Sequence, residues 1–381
     1  MRIAVIGGGV LGASTAFHLT LAGAEVVLVD QAHAGRATAA GAGIICPWAS
    51  ERLDEDWYRI AAAGAQYYRT LVELLTEAGE AEIGYRVSGA LQVASDAAEL
   101  DRAERLVRAR QAAAPEAGAI TRLSSNDARR LFPPLHPDLG AVHIAGGARV
   151  DGRLLAAALC NAARSRGAIV LAGPAGLLTR ASRIAGVKVG QDAVEADSVI
   201  VAAGAWAPAL LAPLGVELAV SPQRGQITHL RLEGVQTSEW PVVLPPGSHY
   251  LLAFDDSRIV VGATREPGAG FDYRITAAGQ AEVLNEALKI APGLASATLI
   301  ETRIGFRPMG PAIRPMLGAI EGFAGRLIVG NGLGPSGLTV GPYAGRLLAQ
   351  LATGQATDMT LAPYDPMQVP VASGADDVSM R

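Results

Sequence analysis

The 381-residue chain is half hydrophobic, much of it alanine, and its net charge of -4 and pI near 5.9 give no reason to expect nucleic acid as a partner. The length suits two domains or one large α/β domain; the apolar runs fall short of a membrane span, so a cytoplasmic protein is expected, with a positive mean hydropathy leaving room for contact peripheral to the inner membrane. Cys46 and Cys160 stand alone, which excludes a disulfide framework and fits a reducing compartment, and the histidines show no ligand spacing, so no metal is expected.

The N-terminal segment predicts a strand at Ile3 to Ile6, a glycine turn, a helix, and a second strand at Val26 to Val29 closed by Asp30. Gly7-Gly8-Gly9-Val10-Leu11-Gly12 supplies the G-x-G-x-x-G pattern of a dinucleotide-binding unit. Gly7 permits the tight turn, Gly9 lets backbone amides approach a pyrophosphate, and Gly12 lets helix and strand pack closely. Asp30 falls about twenty residues on, where a carboxylate accepts from a ribose diol, which argues against a 2′-phosphate. A glycine turn without a ligand would leave the three motif glycines as an unexplained entropic cost. Met1-Arg2 and Ala22-Gly23-Ala24 faintly imitate a secretory signal, but Ser14, Thr15, His18 and Thr20 interrupt the apolar run, so no cleaved leader is expected.

Residues 35–49 are small and suit a backbone lying against a flat ring system. Asp54 to Gly79 and Asp96 to Ala113 have helical periodicity, and Tyr85 to Val93 and Gly140 to Ile144 look like strands of another layer. Val150 to Gly167 predicts a helix, Ala168 to Leu171 a buried strand with a turn at Gly173-Pro174-Ala175, and Ser198 to Ala203 a further strand. From Ser221 the pattern becomes alternation and hairpins, at Gly225 to Leu232, His249 to Phe254 and Arg258 to Gly262, which predicts an antiparallel sheet. Arg326 to Val329 reads as a strand, 330–337 as a glycine loop and Leu338 to Leu351 as a helix, with a loose tail from Val369. The expected fold is therefore α/β. A discontinuous Rossmann-type nucleotide domain takes residues 1–84, 146–218 and 304–368, and a second, α+β domain on an antiparallel sheet takes 85–145 and 219–303, leaving 369–381 as the tail.

These segments together resemble the FAD-dependent amino acid oxidases and dehydrogenases, a family that includes D-amino acid oxidase, glycine oxidase, sarcosine oxidase and D-amino acid dehydrogenases. The carriers are the first glycine motif with Asp30, Ala37-Thr38-Ala39-Ala40-Gly41-Ala42-Gly43, Val201 to Trp206, Gly305-Phe306-Arg307-Pro308 and the terminal GNGLGPSGLTVGP. The resemblance covers nearly the whole chain. It implies noncovalent FAD, since no cysteine sits near the C-terminal motifs. The implied cofactor contacts are Gly7, Gly9, Val10, Leu11 and Gly12; Asp30, Gln31 and Arg36; Ala37, Thr38, Ala40, Gly41, Gly43 and Ile44; Ala175, Ala203, Gly204 and Trp206; Gly305 and Arg307; and Gly332, Leu333, Gly334, Pro335, Ser336, Gly337, Leu338 and Thr339.

The family also implies that Arg307 grips the substrate carboxylate, that Tyr250 adds a hydroxyl to it, and that Arg224 is a secondary candidate near the flavin or an organiser of its strand. The implied reaction is hydride transfer from a D-amino acid, glycine or N-substituted amino acid to flavin N5, giving an imine and then a 2-oxo acid. That step needs orientation more than an acid or base. Ala312 stands where dehydrogenase relatives often carry aspartate, and Asn331 where the last glycine loop usually has histidine. Cys46 reads as a small hydrophobe rather than a reactive thiol. A 2-hydroxy acid dehydrogenase and a flavin-binding component of a multi-subunit assembly stay open as alternatives. So do the stereochemistry, the side chain, the oligomer, and whether oxygen or a quinone reoxidises the flavin.

Overall fold

The computed structural model describes residues 1–181 and 183–368, so the tail expected from Val369 lies outside the described residues. Arg2–Ile6 is apolar after its first residue and pairs in parallel with Glu25–Asp30 on one side and Ser198–Val201 on the other. The six-stranded sheet runs in the order Met316–Ala319, Leu327–Asn331, Ser198–Val201, Arg2–Ile6, Glu25–Asp30, Ile169–Ala172, and only the Met316–Ala319 edge is antiparallel.

Both faces of this sheet are covered, which explains why its strands read as continuous apolar runs. Ile3 and Val5 pack toward the helices Val10–Leu21, Gly152–Ser165 and Gly337–Ala352, whereas Ala4 and Ile6 pack toward Ile184, Val187 and Leu211 on the other side. That second cover is a three-stranded meander, Ala175–Arg180, Arg183–Val189 and Asp192–Glu195, which follows the turn expected at Gly173-Pro174-Ala175. The helices cross closely: a Cβ on Gly345 would lie 2.6 Å from Ser14, and one on Gly64 of Glu55–Glu77 would lie 2.4 Å from the Thr339 carbonyl.

The second sheet has eight strands, ordered Thr298–Met309, Ser221–Arg231, Arg258–Gly262, Tyr250–Ala253, Val242–Leu244, Ala90–Ala94, Gly140–Ile144, Ile120–Leu123. All neighbours are antiparallel except Val242–Leu244 with Ala90–Ala94. Helix Ala277–Ile290 buries Val283 and Ala287 against one face of this sheet. The single strand expected over Tyr85 to Val93 is two strands. Gly89 has φ +84° and breaks the chain there, so that Arg86–Val87 joins a small sheet with Ile44–Ile45 and Ala148–Arg149 while Ala90–Ala94 joins the large one. Thr298–Met309 is one continuous strand running through residue 304, and it carries the chain from the large sheet back to the glycine motifs.

Candidate functional site

Two cavities that share Val10, Ala37, Thr38 and Pro308 lie end to end across the carboxyl ends of the parallel strands, one of about 390 Å³ and one of about 240 Å³. The larger is placed where strand order reverses beside Arg2–Ile6, the usual ligand crevice of an open α/β sheet. Gly7 has φ +110° and a Cβ there would lie 2.4 Å from the Ala202 carbonyl, while a Cβ on Gly12 would lie 1.9 Å from the Gly7 carbonyl. These two glycines are required by packing, and Gly12 does not itself line the cavity. Gly9 differs. A Cβ there would meet only Thr38 Oγ1, at 3.2 Å, so the space above it is open to a ligand.

Helix Val10–Leu21 has no side-chain cap at Gly9 and no acid in its first turn, and Thr38 Oγ1 accepts from the Val10 amide at 3.0 Å. A helix start whose only side-chain cap is the Thr38 contact at Val10, beside open backbone, favours an anion. Asp30 and Gln31 line the same cavity with Ala175, Ala203, Gly204 and Trp206. Arg36 Nη1 donates to Asp30 Oδ2 at 2.7 Å, so the carboxylate expected to accept from a ribose diol is also held by a neighbouring cation. Trp206 stacks on His33 with ring centroids 4.4 Å apart and on Phe271 at 5.1 Å, walling one side.

The smaller cavity is walled by Ala40, Gly41, Gly43 and Ile44, by Gly305 and Arg307, and by Leu333, Gly334, Pro335, Gly337 and Leu338. Their smallness has a second cause beyond contact with a ring. A Cβ on Gly43 would lie 1.8 Å from the Val150 carbonyl, and one on Gly305 would lie 2.8 Å from Ala40 Cβ. Four residues assigned by resemblance do not line either cavity: Gly12, Gly332, Ser336 and Thr339. Ser336 Oγ accepts from Trp57 Nε1 at 3.0 Å and Thr339 donates to the Ile44 carbonyl at 3.0 Å, so both brace the loop from behind. Asn331 is buried, donates to the Gly204 carbonyl at 2.9 Å and accepts from the Gly332 amide at 2.8 Å, tying two cavity loops together.

Arg307 and Tyr250 meet in the smaller cavity. Arg307 Nη1 donates to the Thr264 carbonyl at 3.1 Å, and the guanidinium lies over Gly225, whose Cβ would come within 2.4 Å of it. Burial pushes the Tyr250 hydroxyl pKa up against the opposing pull of Arg307 and Arg265. Arg265 lines the same cavity and is depressed by burial and by Arg307. Arg224 lines neither cavity; it is held by Glu266 and, at 2.6 Å, by Asp272, so its role is to order the strand. Burial raises the Cys46 thiol to about 12, as suits a small hydrophobe. Gly8, Phe306 and Pro308, expected only as motif residues, and Gly225, expected only as a strand start, also line the cavities, as do His33, Ser248 and Arg265. For Arg265 a signal existed, since it follows the Gly262-Ala263-Thr264 strand end facing Tyr250. Among the described residues no cluster of His, Cys, Asp or Glu is arranged to hold a metal, and no helix is long and apolar enough to cross a membrane.

The open backbone at Gly9, the acid-free helix start and a second cavity walled by small residues together fit an elongated dinucleotide with a flat ring at one end. Known proteins agree. Residues 2–351 match the family described as FAD dependent oxidoreductase. The chain is similar to an iminodiacetate oxidase structure from Chelativorans sp. BNC1, at 55% identity and TM-score 0.93 over 96% of this chain and 99% of that one. It is 48% identical to an uncharacterized oxidoreductase of Bacillus subtilis, over 95% of this chain and 97% of the relative. It is 30% identical to a glycine oxidase of Pseudomonas aeruginosa, over 96% and 98% of the two chains. With a glycine crevice built for a dinucleotide and a family match running through both sheets, the chain belongs to the FAD-dependent oxidoreductases related to glycine oxidase, as an enzyme acting on the CH–NH group of amino acids with FAD as its cofactor.

Proposed function

We propose that this enzyme oxidises glycine, a D-amino acid or an N-substituted amino acid to an imine, which water converts to a 2-oxo acid. The observation that carries this reading is the Arg307 guanidinium beside the Tyr250 hydroxyl in a cavity whose lining holds no aspartate, glutamate or histidine. Bound FAD supplies the two-electron acceptor for the hydride. Arg307 offers paired donors that fix the position and tilt of a carboxylate, and Tyr250 adds a hydroxyl. The start of helix Gly337–Ala352 borders the same cavity, and its amides and dipole favour negative charge there. The substrate nitrogen arrives neutral; its lone pair forms the C=N bond as the hydride leaves Cα, and water then adds to that carbon and releases the amine. No protein base enters this sequence.

A 2-hydroxy acid would need a proton acceptor for its hydroxyl, and the lining offers no carboxylate or imidazole. The likeness to an iminodiacetate oxidase favours the N-substituted member of the substrate set. Oxygen is the acceptor in this reading, with a quinone as the other outcome of the test. The division into FAD-binding segments 1–84, 146–218 and 304–368 and substrate segments 85–145 and 219–303 is part of the proposal. The test mixes oxygen-free holoenzyme with glycine, sarcosine, D-alanine, iminodiacetate and lactate and follows flavin bleaching, then readmits air or a dye. Bleaching by an amine is expected. Bleaching by lactate alone would refute the amine chemistry, and bleaching by none would point to a component without independent turnover.

A further inference from the structure

The arginines around the smaller cavity are more numerous than one carboxylate requires. Arg265 and Arg307 both line it, and Arg52 lies near enough to Arg265 for that cation to oppose its charge. Arg52 is held to about 10, first by burial and then by Arg265, and its Nη1 is enclosed without a hydrogen-bond partner. Among the described residues none of the three forms an ion pair, although Arg224, Arg303 and Arg314 close by each do.

The backbone explains how this came about. Residues 264–266 run extended along Arg224–Gln226, with the Glu266 amide donating to the Arg224 carbonyl at 3.0 Å and the Thr264 amide to the Gln226 carbonyl at 3.2 Å. Side chains therefore alternate. Thr264 and Glu266 turn one way, where Glu266 accepts from Thr264 at 2.7 Å, from Gln226 at 2.7 Å and from Arg224. Arg265 turns the other way, into the cavity, on the face where Gly225 leaves room for the Arg307 guanidinium. The one acid of the segment is thus engaged elsewhere, and the nearby Asp54 is engaged by Arg314 at 2.7 Å.

Clustered, partly buried cations without anions are costly unless a ligand neutralises them. A dinucleotide pyrophosphate does not meet that need, because Arg265 and Arg52 do not border the cavity that holds Gly9. We propose that Arg265, backed by Arg52, is a second carboxylate site beside Arg307, and that the preferred substrate is an amine carrying two carboxylates. This rests on the amino-acid reading above. The second carboxylate belongs either to an N-carboxyalkyl group or to a side chain, and the two are told apart by comparing iminodiacetate with D-aspartate.

The experiment measures kcat/KM of the holoenzyme for iminodiacetate and for sarcosine, which keeps the secondary amine and lacks the second carboxylate. Wild type should prefer iminodiacetate, and Arg265→Ala should lower the iminodiacetate-to-sarcosine ratio by about ten- to a hundredfold, as expected for loss of a charge-assisted contact. Arg265→Lys should recover part of the ratio. D-aspartate turned over with the same dependence on Arg265 would place the second carboxylate on the side chain. A ratio unchanged within about twofold overturns the proposal. Should Arg265→Ala not fold, wild type alone decides: thiodiacetate should perturb the flavin spectrum at least tenfold more tightly than methylthioacetate, and equal affinities overturn the proposal. Sarcosine that reduces the flavin while iminodiacetate shows no advantage sinks only the second site, whereas a flavin reduced by neither amine sinks the amino-acid reading.

Discussion

Arg307→Ala isolates the carboxylate anchor. The guanidinium carries five donors, and the contact to the Thr264 carbonyl engages Nη1, so several remain directed at the cavity. A charge-assisted hydrogen bond contributes roughly 1.5–3 kcal/mol. Removing it should lower kcat/KM by about ten- to a hundredfold, most of it in KM, with kcat falling as well if the α-hydrogen loses its alignment. The space left over Gly225 fills with water and does not restore paired donors. Arg307→Lys should recover only part, since an ammonium is a point charge without the fork. The assay is oxygen uptake with the best amino acid found in the panel, with flavin content read from absorbance so that cofactor loss is not mistaken for weak substrate binding. An amine lacking the carboxylate should be indifferent to residue 307. Unchanged KM and kcat in Arg307→Ala would refute the anchor and the amino-acid chemistry built on it.

Gly9→Val should abolish flavin retention, because its side chain would occupy the one open approach on the glycine turn; a variant purified with full flavin would remove Gly9 from that role. Asn331→Ala leaves the Gly204 carbonyl and the Gly332 amide without their partner, at a cost of about 1–3 kcal/mol each, so the variant should melt earlier and release flavin more readily, and an unchanged melting curve would contradict the tie. His18, held to about 4 by burial, donates from Nδ1 to the Ser14 carbonyl at 2.7 Å and meets the Tyr67 hydroxyl at 2.5 Å through Nε2. The unfolded chain takes up this proton first, so stability present above pH ~6.5 should be lost as pH falls toward ~4, by about 3 kcal/mol. Urea midpoints across that range should fall less steeply in His18→Gln, and parallel curves would exclude His18 as the source.

The parallel sheet was legible because burial on both faces leaves a plain apolar run, and Gly7 and Gly12 of its first turn sit where backbone meets backbone. The meander Ala175–Glu195 was not. Much of its surface is exposed or half-buried, so apolar and polar residues do not alternate cleanly. Thr298–Met309 was obscured for a related reason: its first half is exposed or half-buried and its second half is enclosed, so no single period describes it. The break at Gly89 depends on a positive φ that a glycine permits but does not announce.

Within the site, the sequence located motifs better than it located reasons. Gly43 and Gly305 read as surfaces for a flat ring, yet each is also demanded by a neighbouring atom that a side chain would strike. Arg36, expected at the cofactor, lines the larger cavity and also holds Asp30, a pairing six residues apart that no periodicity implies. The arginines illustrate the limit most sharply. Arg224, Arg265 and Arg307 are chemically identical in the chain, and what separates them is whether an acid lies within reach after folding. Glu266 and Asp272 close around Arg224, and the alternation of an extended strand turns Arg265 from those same acids into the cavity. A cation's function here follows from the partner it lacks, and that absence is a property of the fold.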